Sequence, residues 1–205
     1  MTAVQTWQPV IGYLLGIVTV LVAALVGFRL NRARDEHLRL QEVKSIAAAL
    51  YAEIIMLRVQ AAKMANVVAK RFVQHGMGRR DRPFDEHLFE MIPMPSAPIY
   101  EGLSSQIGKL PAHLLLGIVQ FYSAYEDARY WLPRLEEKEE RPFTYSVLTV
   151  LHPALDAVEG IQDTLISIEA LVGISPNSEL PDLKQAKEVA EWEEEQWAEI
   201  REQGD

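Results

Sequence analysis

Residues 10–30 read VIGYLLGIVTVLVAALVGFRL. From Val10 through Phe28 no residue is charged, and Tyr13 and Thr19 are the only polar side chains. At a rise of about 1.5 Å per residue, such a helix reaches roughly 31 Å, the thickness of a bilayer's hydrocarbon core. Apolar residues point in every direction around it, so it has no face suited to water. The stretch predicts a transmembrane helix, with the rest of the chain held at a membrane surface.

Two other readings fit less well. A buried central helix of a globular bundle usually carries more polar residues over such a length. A cleaved signal peptide needs positive charge ahead of its apolar run, and Met1 to Pro9 contains no Lys or Arg. The charges follow the apolar run instead: Arg29, Arg32, Arg34 and Arg39. Lys and Arg in excess stay on the cytoplasmic side. This places residues 1–9 outside as a short tail, residues 10–30 in the bilayer and the remainder in the cytoplasm. Trp7 and Tyr13 fall near the outer interface, where amphipathic rings are favoured. The implied setting is a bacterial inner membrane crossed once.

One side of the span carries Gly12, Gly16, Thr19, Ala23 and Gly27, spaced by fours and a three. Small residues four apart let two helix backbones approach closely. The stripe predicts self-association, although Gly is also simply common in membrane helices.

Removing tail and anchor from 205 residues leaves 175, enough for one well-packed domain. Charge is unevenly shared. Residues 29–82 hold twelve Lys or Arg against five Asp or Glu, a balance of +7; residues 83–205 hold eight against 24, a balance of −16. The basic part adjoins the membrane and suits anionic headgroups, with Arg29, Arg32, Arg34 and Arg39 as the topology and headgroup residues. The acidic remainder excludes nucleic acid as the expected partner.

Beyond the span the helical pattern continues. Residues 31–74 contain neither Gly nor Pro. Val43, Ile46, Leu50, Ile54, Leu57, Ala61, Met64 and Val68 recur in steps of three or four, the seam of a bundle or coiled-coil helix. Gly76 and Gly78 end it. A basic knot, Arg79, Arg80 and Arg82, follows; then Phe84 to Ile92 predicts a short helix, and Pro93, Pro95 and Pro98 an extended run. Ile99 to Ile107 reads as another short helix stopped by Gly108. Pro111 begins one carrying Leu114, Leu115, Ile118, Phe121, Tyr122 and Tyr125. An acidic run, Glu136, Glu137, Glu139 and Glu140, separates it from a helix over about Tyr145 to Val172, with Pro153 starting that helix late or kinking it. Turn residues Ser175, Pro176, Asn177 and Ser178 precede the last segment, Pro181 to Asp205. That segment predicts an acidic amphipathic helix whose Trp192, Trp197 and Ile200 are candidate partner-binding residues.

No alternating strand pattern appears. The expected fold is all-α: an N-terminal transmembrane helix continuing into a long cytoplasmic helix that packs in an antiparallel helical bundle over residues 31–174, with 175–205 as the acidic C-terminal helix.

Catalytic signatures are absent. There is no cysteine, no G-x-S-x-G, no phosphate-binding glycine loop and no H-E-x-x-H. Asp-Glu-His-Leu occurs at residues 35–38 and again at 85–88. Helical di-metal sites use Glu-x-x-His, which puts both ligands on one face, whereas adjacent Glu36 and His37 point about 100° apart. The repeat is therefore read as coincidence. His75 and His113 lack an acidic partner at helical spacing, while His152 and Asp156 form a candidate surface pair. The aromatic set Phe121, Tyr122, Tyr125, Tyr130 and Trp131 is read as core before ligand cage. No catalytic, cofactor or metal residue is assigned, and no small-molecule substrate is evident.

The segment Ile99-Tyr100-Glu101-Gly102-Leu103, with Gln106-Ile107-Gly108-Lys109-Leu110-Pro111 and Ile118-Val119-Gln120-Phe121-Tyr122, resembles a loose group of uncharacterised bacterial single-pass membrane proteins. These have an N-terminal membrane helix, a long Ala/Leu/Glu-rich helix and a later Tyr … Ile-Gly-x-Leu-Pro … Val-x-Phe-Tyr block. The resemblance implies the layout and the bacterial membrane setting, and no activity. The reading from sequence is thus a non-enzymatic, membrane-anchored helical protein acting through a homo-oligomer or a protein partner. A membrane-anchored enzyme or metal-binding bundle and an anionic-lipid sensor are the alternatives.

Overall fold

In a computed structural model the described residues are 4–76, 84–136, 145–176 and 179–203. The basic knot Arg79, Arg80 and Arg82, together with Gly78, Glu137, Glu139, Glu140, Asn177 and Ser178, lies outside them. All regular structure among the described residues is helical. Seven α-helices occur in the order α1 (Val4–Arg71), α2 (Glu86–Met91), α3 (Pro98–Leu103), α4 (Ala112–Trp131), α5 (Leu148–Gly160), α6 (Gln162–Val172) and α7 (Lys184–Gln203). The chain divides into two compact units, Met1–Lys44 and Ser45–Asp205.

Among the described residues of the first unit α1 is the only regular structure, and from Thr19 to Glu42 every residue is exposed except Gly27, which is partly covered. Helix formation there rests on composition: Ala, Leu, Glu, Arg and Gln with no helix breaker after Gly27. Arg32 and Glu36, four apart, pair at 3.0 Å, and the His37 ring meets the Gln41 amide at 2.9 Å.

In the second unit the seam residues Ile46, Leu50, Ile54, Leu57, Ala61, Met64 and Val68 are all buried. So are Ala47, Ala62, Ala65 and Ala69 on a second face. Only Ser45, Ala52, Met56, Val59, Lys63 and Lys70 stay exposed, and these fall within roughly 60° of arc on a helix of 3.6 residues per turn. Helix α1 is here the central post, enclosed on most of its circumference. Lys70 and Arg71 occupy its last turn, where positive charge suits the dipole, and a wide π turn over Phe72–Gly76 ends it.

Contact registers give the helix directions. Tyr51 meets Glu169, and Arg58 meets Val158, so α5 and α6 run antiparallel to α1. Gly117 faces Thr164, and Trp131 lies 5.2 Å from Tyr145, so they are antiparallel to α4 as well. Helix α4 itself runs parallel to α1: Tyr122 meets Glu53, while Ala128 and Leu132 share a cluster with Met64 and Val68. Helix α7 is also parallel to α1, as Asn66 meets Ala186 and Phe72 meets Trp192. Relative to α1, the antiparallel arrangement expected from the sequence holds for α5 and α6, while α4 and α7 run with α1 and are antiparallel to α5.

The return stroke between α1 and α4 is short. Phe84, Leu88 and Ile92 of the α2 region join the cluster of Met64 to Ala69, and Ile99 reaches Glu53. Extended chain covers about 3.3 Å per residue, so the five steps from Ile92 to Ala97 span about 16 Å. That matches the roughly 17 Å of eleven helical residues between Glu53 and Met64. The proline run serves this descent, because it is both extended and unable to coil into a helix.

Two other boundaries differ from expectation. The helix expected over Ile99 to Ile107 ends at Leu103, and Ile107–Lys109 forms a separate 3-10 turn. The helix expected over Tyr145 to Val172 is two helices meeting at Ile161, next to Gly160. Pro153 does not start α5, which begins at Leu148 with the Ser146 hydroxyl accepting its N–H at 3.1 Å. At the end of α6, Gly173 takes φ +83°, and the N–H groups of Gly173 and Ile174 both reach the Glu169 carbonyl.

Candidate functional site

The first candidate surface is the apolar segment of α1 in the first unit. Val20, Leu21, Val22, Leu25, Val26, Phe28 and Leu30 all expose half or more of their surface, Val20 reaching 68%. By length and composition alone, one helix among the described residues is long and apolar enough to cross a membrane. Gly12, Gly16, Thr19, Ala23 and Gly27 all lie in α1, and their spacing puts them within roughly 80° of arc. Ala23 is exposed, and a Cβ at Gly27 would meet nothing within 4 Å, so this side is open to a second helix. Arg29, Arg32, Arg34 and Arg39 follow, all exposed.

Within the bundle, polar side chains of α1 fasten the ends of other elements. Glu53, only 2% exposed, is the most complete case. Its Oε1 accepts the Ile99 N–H at 2.7 Å; its Oε2 accepts the Tyr100 N–H at 2.9 Å and the Tyr122 hydroxyl at 2.7 Å. Ile99 and Tyr100 are in the first turn of α3, whose amides have no partner within the helix. Ala97, which precedes that helix, has no side chain with which to cap them, so a carboxylate from α1 does so. The Tyr100 and Tyr122 rings stack at 3.9 Å, and the Tyr125 hydroxyl donates to the Pro95 carbonyl at 2.8 Å. Burial pushes the Tyr122 hydroxyl far above the ordinary tyrosine range, and the hydrogen bond to Glu53 and its charge push it further. Tyr125 is raised as well, by burial first and then by Glu126.

Arg58, 1% exposed, does the same at the α5–α6 junction. Its Nε donates to the Val158 carbonyl at 2.7 Å, one guanidinium nitrogen to the Gln162 side chain and another to the Glu179 carbonyl at 3.5 Å. Carbonyls in the last turn of a helix are the negative end of its dipole, a fitting environment for a buried cation. Burial nevertheless lowers the Arg58 pKa, against the opposing pull of Glu159. Tyr51 donates to the buried Glu169 at 2.6 Å. The Asn66 amide donates to the Asp182 carbonyl at 2.7 Å and accepts the Ala186 N–H at 3.3 Å, capping α7. These groups are committed to one another and to helix ends. Their arrangement builds a scaffold.

An open groove of about 770 Å³ runs between α4 and α5, with Asp127, Trp131, Thr149, His152 and Asp156 among its lining. The His152–Asp156 pair read from sequence is not made; His152 Nε2 instead meets Glu194 of α7 at 2.6 Å. No group of three His, Asp or Glu that could hold a metal ion occurs among the described residues. In the two Asp-Glu-His-Leu segments, His37 is engaged with Gln41 and Asp85 caps α2 by accepting the Leu88 N–H at 2.8 Å. Of the aromatic set, Phe121, Tyr122 and Tyr125 are buried; Tyr130 is exposed beneath the Arg134 guanidinium, 3.3 Å from its ring centre. Trp192 packs on Phe72 at 5.9 Å, Trp197 donates to Glu193 at 3.1 Å, and Ile200 is exposed.

Sequence reading missed Glu53, Arg58, Asn66 and Gly117. A signal for Arg58 existed: at 3.6 residues per turn it falls on the arc of Ala47, Ala62, Ala65 and Ala69, where a polar residue must be buried with partners. Glu53 lies on the other flank of the seam and carries none. Asn66 and Gly117 carry no such mark. The chain is an all-α protein with a long N-terminal apolar helix and a packed helical bundle. Compared with known protein families, with characterised proteins and with solved structures, it matches none.

Proposed function

We propose that this is a single-pass membrane protein that is not an enzyme. Its helical bundle stands at the cytoplasmic face of a bacterial inner membrane, with the N-terminus outside. The bundle works through self-association or through binding a protein partner. One observation carries the reading: the apolar residues from Val20 to Leu30 are left uncovered. Burying one such side chain is worth about 1.5–3 kcal/mol, so seven of them amount to roughly 10–20 kcal/mol in favour of a lipid environment. The exposed arginines that follow fit the cytoplasmic boundary of a span. The open stripe through Gly27 supports pairing with a second copy.

Fractionation tests the reading. The full chain made in a bacterial host should stay in the membrane pellet through alkaline carbonate washing and leave it only with detergent. Cysteine placed at Thr2 should react with an impermeant maleimide in intact cells, and cysteine at Ser175 only after lysis. Recovery of the chain as a detergent-free soluble species would overturn the proposal. For self-association, Gly16→Ile with Ala23→Ile should abolish crosslinked dimers without changing membrane insertion.

A further inference from the structure

Helix α7 is fastened differently from the helices beneath it. Its buried residues are Ala186, Val189 and Ala190, with Leu183 just ahead, all toward its N-terminal end. From Glu191 to Glu202 no residue is buried. Helix α4, which like α7 has 20 residues, buries Leu114, Ile118, Phe121, Tyr122, Tyr125 and Ala128 from one end to the other. The fully buried side chains that seat α7 are thus few and mostly small, with the partly exposed Trp192 packed on Phe72 beyond them, although the cluster they cover includes Met64, Val68, Val150 and Leu151.

The polar fastenings of α7 sit near the surface. The Asn66 clasp holds its first turn, and Lys187 pairs with Glu159 at 2.5 Å. Further along, Ser146 donates to Glu193 at 3.1 Å in a half-buried contact, and His152 meets Glu194 in a pair open to water, which weakens it. The helix also repels itself: Glu191 and Glu195, then Glu195 and Glu199, stand four residues apart, where like charges oppose one another. Its composition of Ala, Glu, Lys and Gln still favours helix over coil.

We infer that α7 is a releasable strap. It lifts from the bundle as one unit while α1, α4, α5 and α6 stay folded, and lifting uncovers the apolar cluster beneath Ala186, Val189 and Ala190. The Asn66 clasp and the Lys187–Glu159 pair are its fastenings. This holds whether or not the first unit lies in a membrane.

Native-state hydrogen exchange on the full chain in detergent micelles, read by mass spectrometry, tests it. Amides over 188–200 should share one level of protection, about 100-fold or more below that of amides over 54–68, as expected for a separate cooperative unit. Asn66→Ala should lower that shared level roughly tenfold and leave 54–68 unchanged. Lys187→Gln should act on the same amides alone, in the same direction. Protection over 188–200 equal to that over 54–68 would overturn the inference, since α7 would then open only with the whole bundle. A steady decline toward the C-terminus without a shared level would overturn it too, as that is ordinary end fraying.

Discussion

Removing the Glu53 carboxylate should destabilise the bundle more than its single position suggests. Glu53→Ala strands three donors at a site only 2% exposed: two first-turn amides of α3 and the Tyr122 hydroxyl. A hydrogen bond to a charged group is worth about 1.5–3 kcal/mol, but three that share one carboxylate do not add in full. Breaking a buried charged set of this kind costs about 3–5 kcal/mol, a large part of a typical domain stability of about 5–15 kcal/mol. Glu53→Gln keeps the shape and one acceptor but turns an amide donor toward groups that also donate, so about 2–3 kcal/mol is expected. Tyr122→Phe removes one bond and leaves Glu53 with two, for about 1–1.5 kcal/mol. The assay is urea unfolding followed by far-UV circular dichroism, on the chain lacking residues 1–34. With a slope of about 2 kcal/mol per molar urea, Glu53→Ala should lower the midpoint by about 2 M. The double variant Glu53→Gln with Tyr122→Phe should be less destabilised than the sum of the two singles, by about 1 kcal/mol. A Glu53→Gln bundle within 0.5 kcal/mol of the parent and showing no coupling to Tyr122 would refute the assignment of Glu53 as the α3 cap.

Three further outcomes follow from particular contacts. Removal of residues 1–34 should leave a helical, cooperatively unfolding bundle, because every buried residue described apart from Val43 lies in the second unit and Val43 is retained; a product without a cooperative transition would contradict this. Gly117→Ala should destabilise by about 1–3 kcal/mol despite alanine's better helix propensity, since its Cβ would stand 2.0 Å from the Thr164 hydroxyl; adding Thr164→Ala should recover most of the loss in the same urea assay. Alkaline pH should weaken the bundle. Tyr122 and Tyr125 have raised pKa values in the folded chain, so above about pH 10 the unfolded chain loses their protons first and binds fewer. Their contribution is whole below that pH and is lost as pH rises toward the folded values, at up to about 2.7 kcal/mol per pH unit for the two together. The variant with both tyrosines changed to phenylalanine should show a shallower loss between pH 10 and 11.

Much of the fold was legible because helices advertise themselves locally. The run from Asn31 to Gln74 without Gly or Pro, and its apolar steps of three and four, predict the long helix and its seam from side-chain periodicity alone. Asp85 ahead of α2, Pro111 ahead of α4 and Gly173 after α6 mark boundaries through chemistry confined to one turn. The boundaries that were misread depend on distant partners. Gly160 alone does not oblige a break at Ile161, but Arg58 engages the last turn of α5 and the Gln162 side chain at the start of α6. The unmade His152–Asp156 pair has the same origin, since α7 brings Glu194 to the imidazole from more than forty residues away.

The sequence by itself determined the helical class, the uncharged run of residues 10–28, the basic flank and the acidic tail, because each depends on residues within a turn or two of one another. Helix direction, burial of Glu53 and Arg58, the closeness of α4 and α6 at Gly117, and the seating of α7 were decided only by tertiary structure. Apolar burial favours any arrangement that covers the seam. The choice among arrangements falls to a few polar groups, and what each of them must pair with lies tens of residues away.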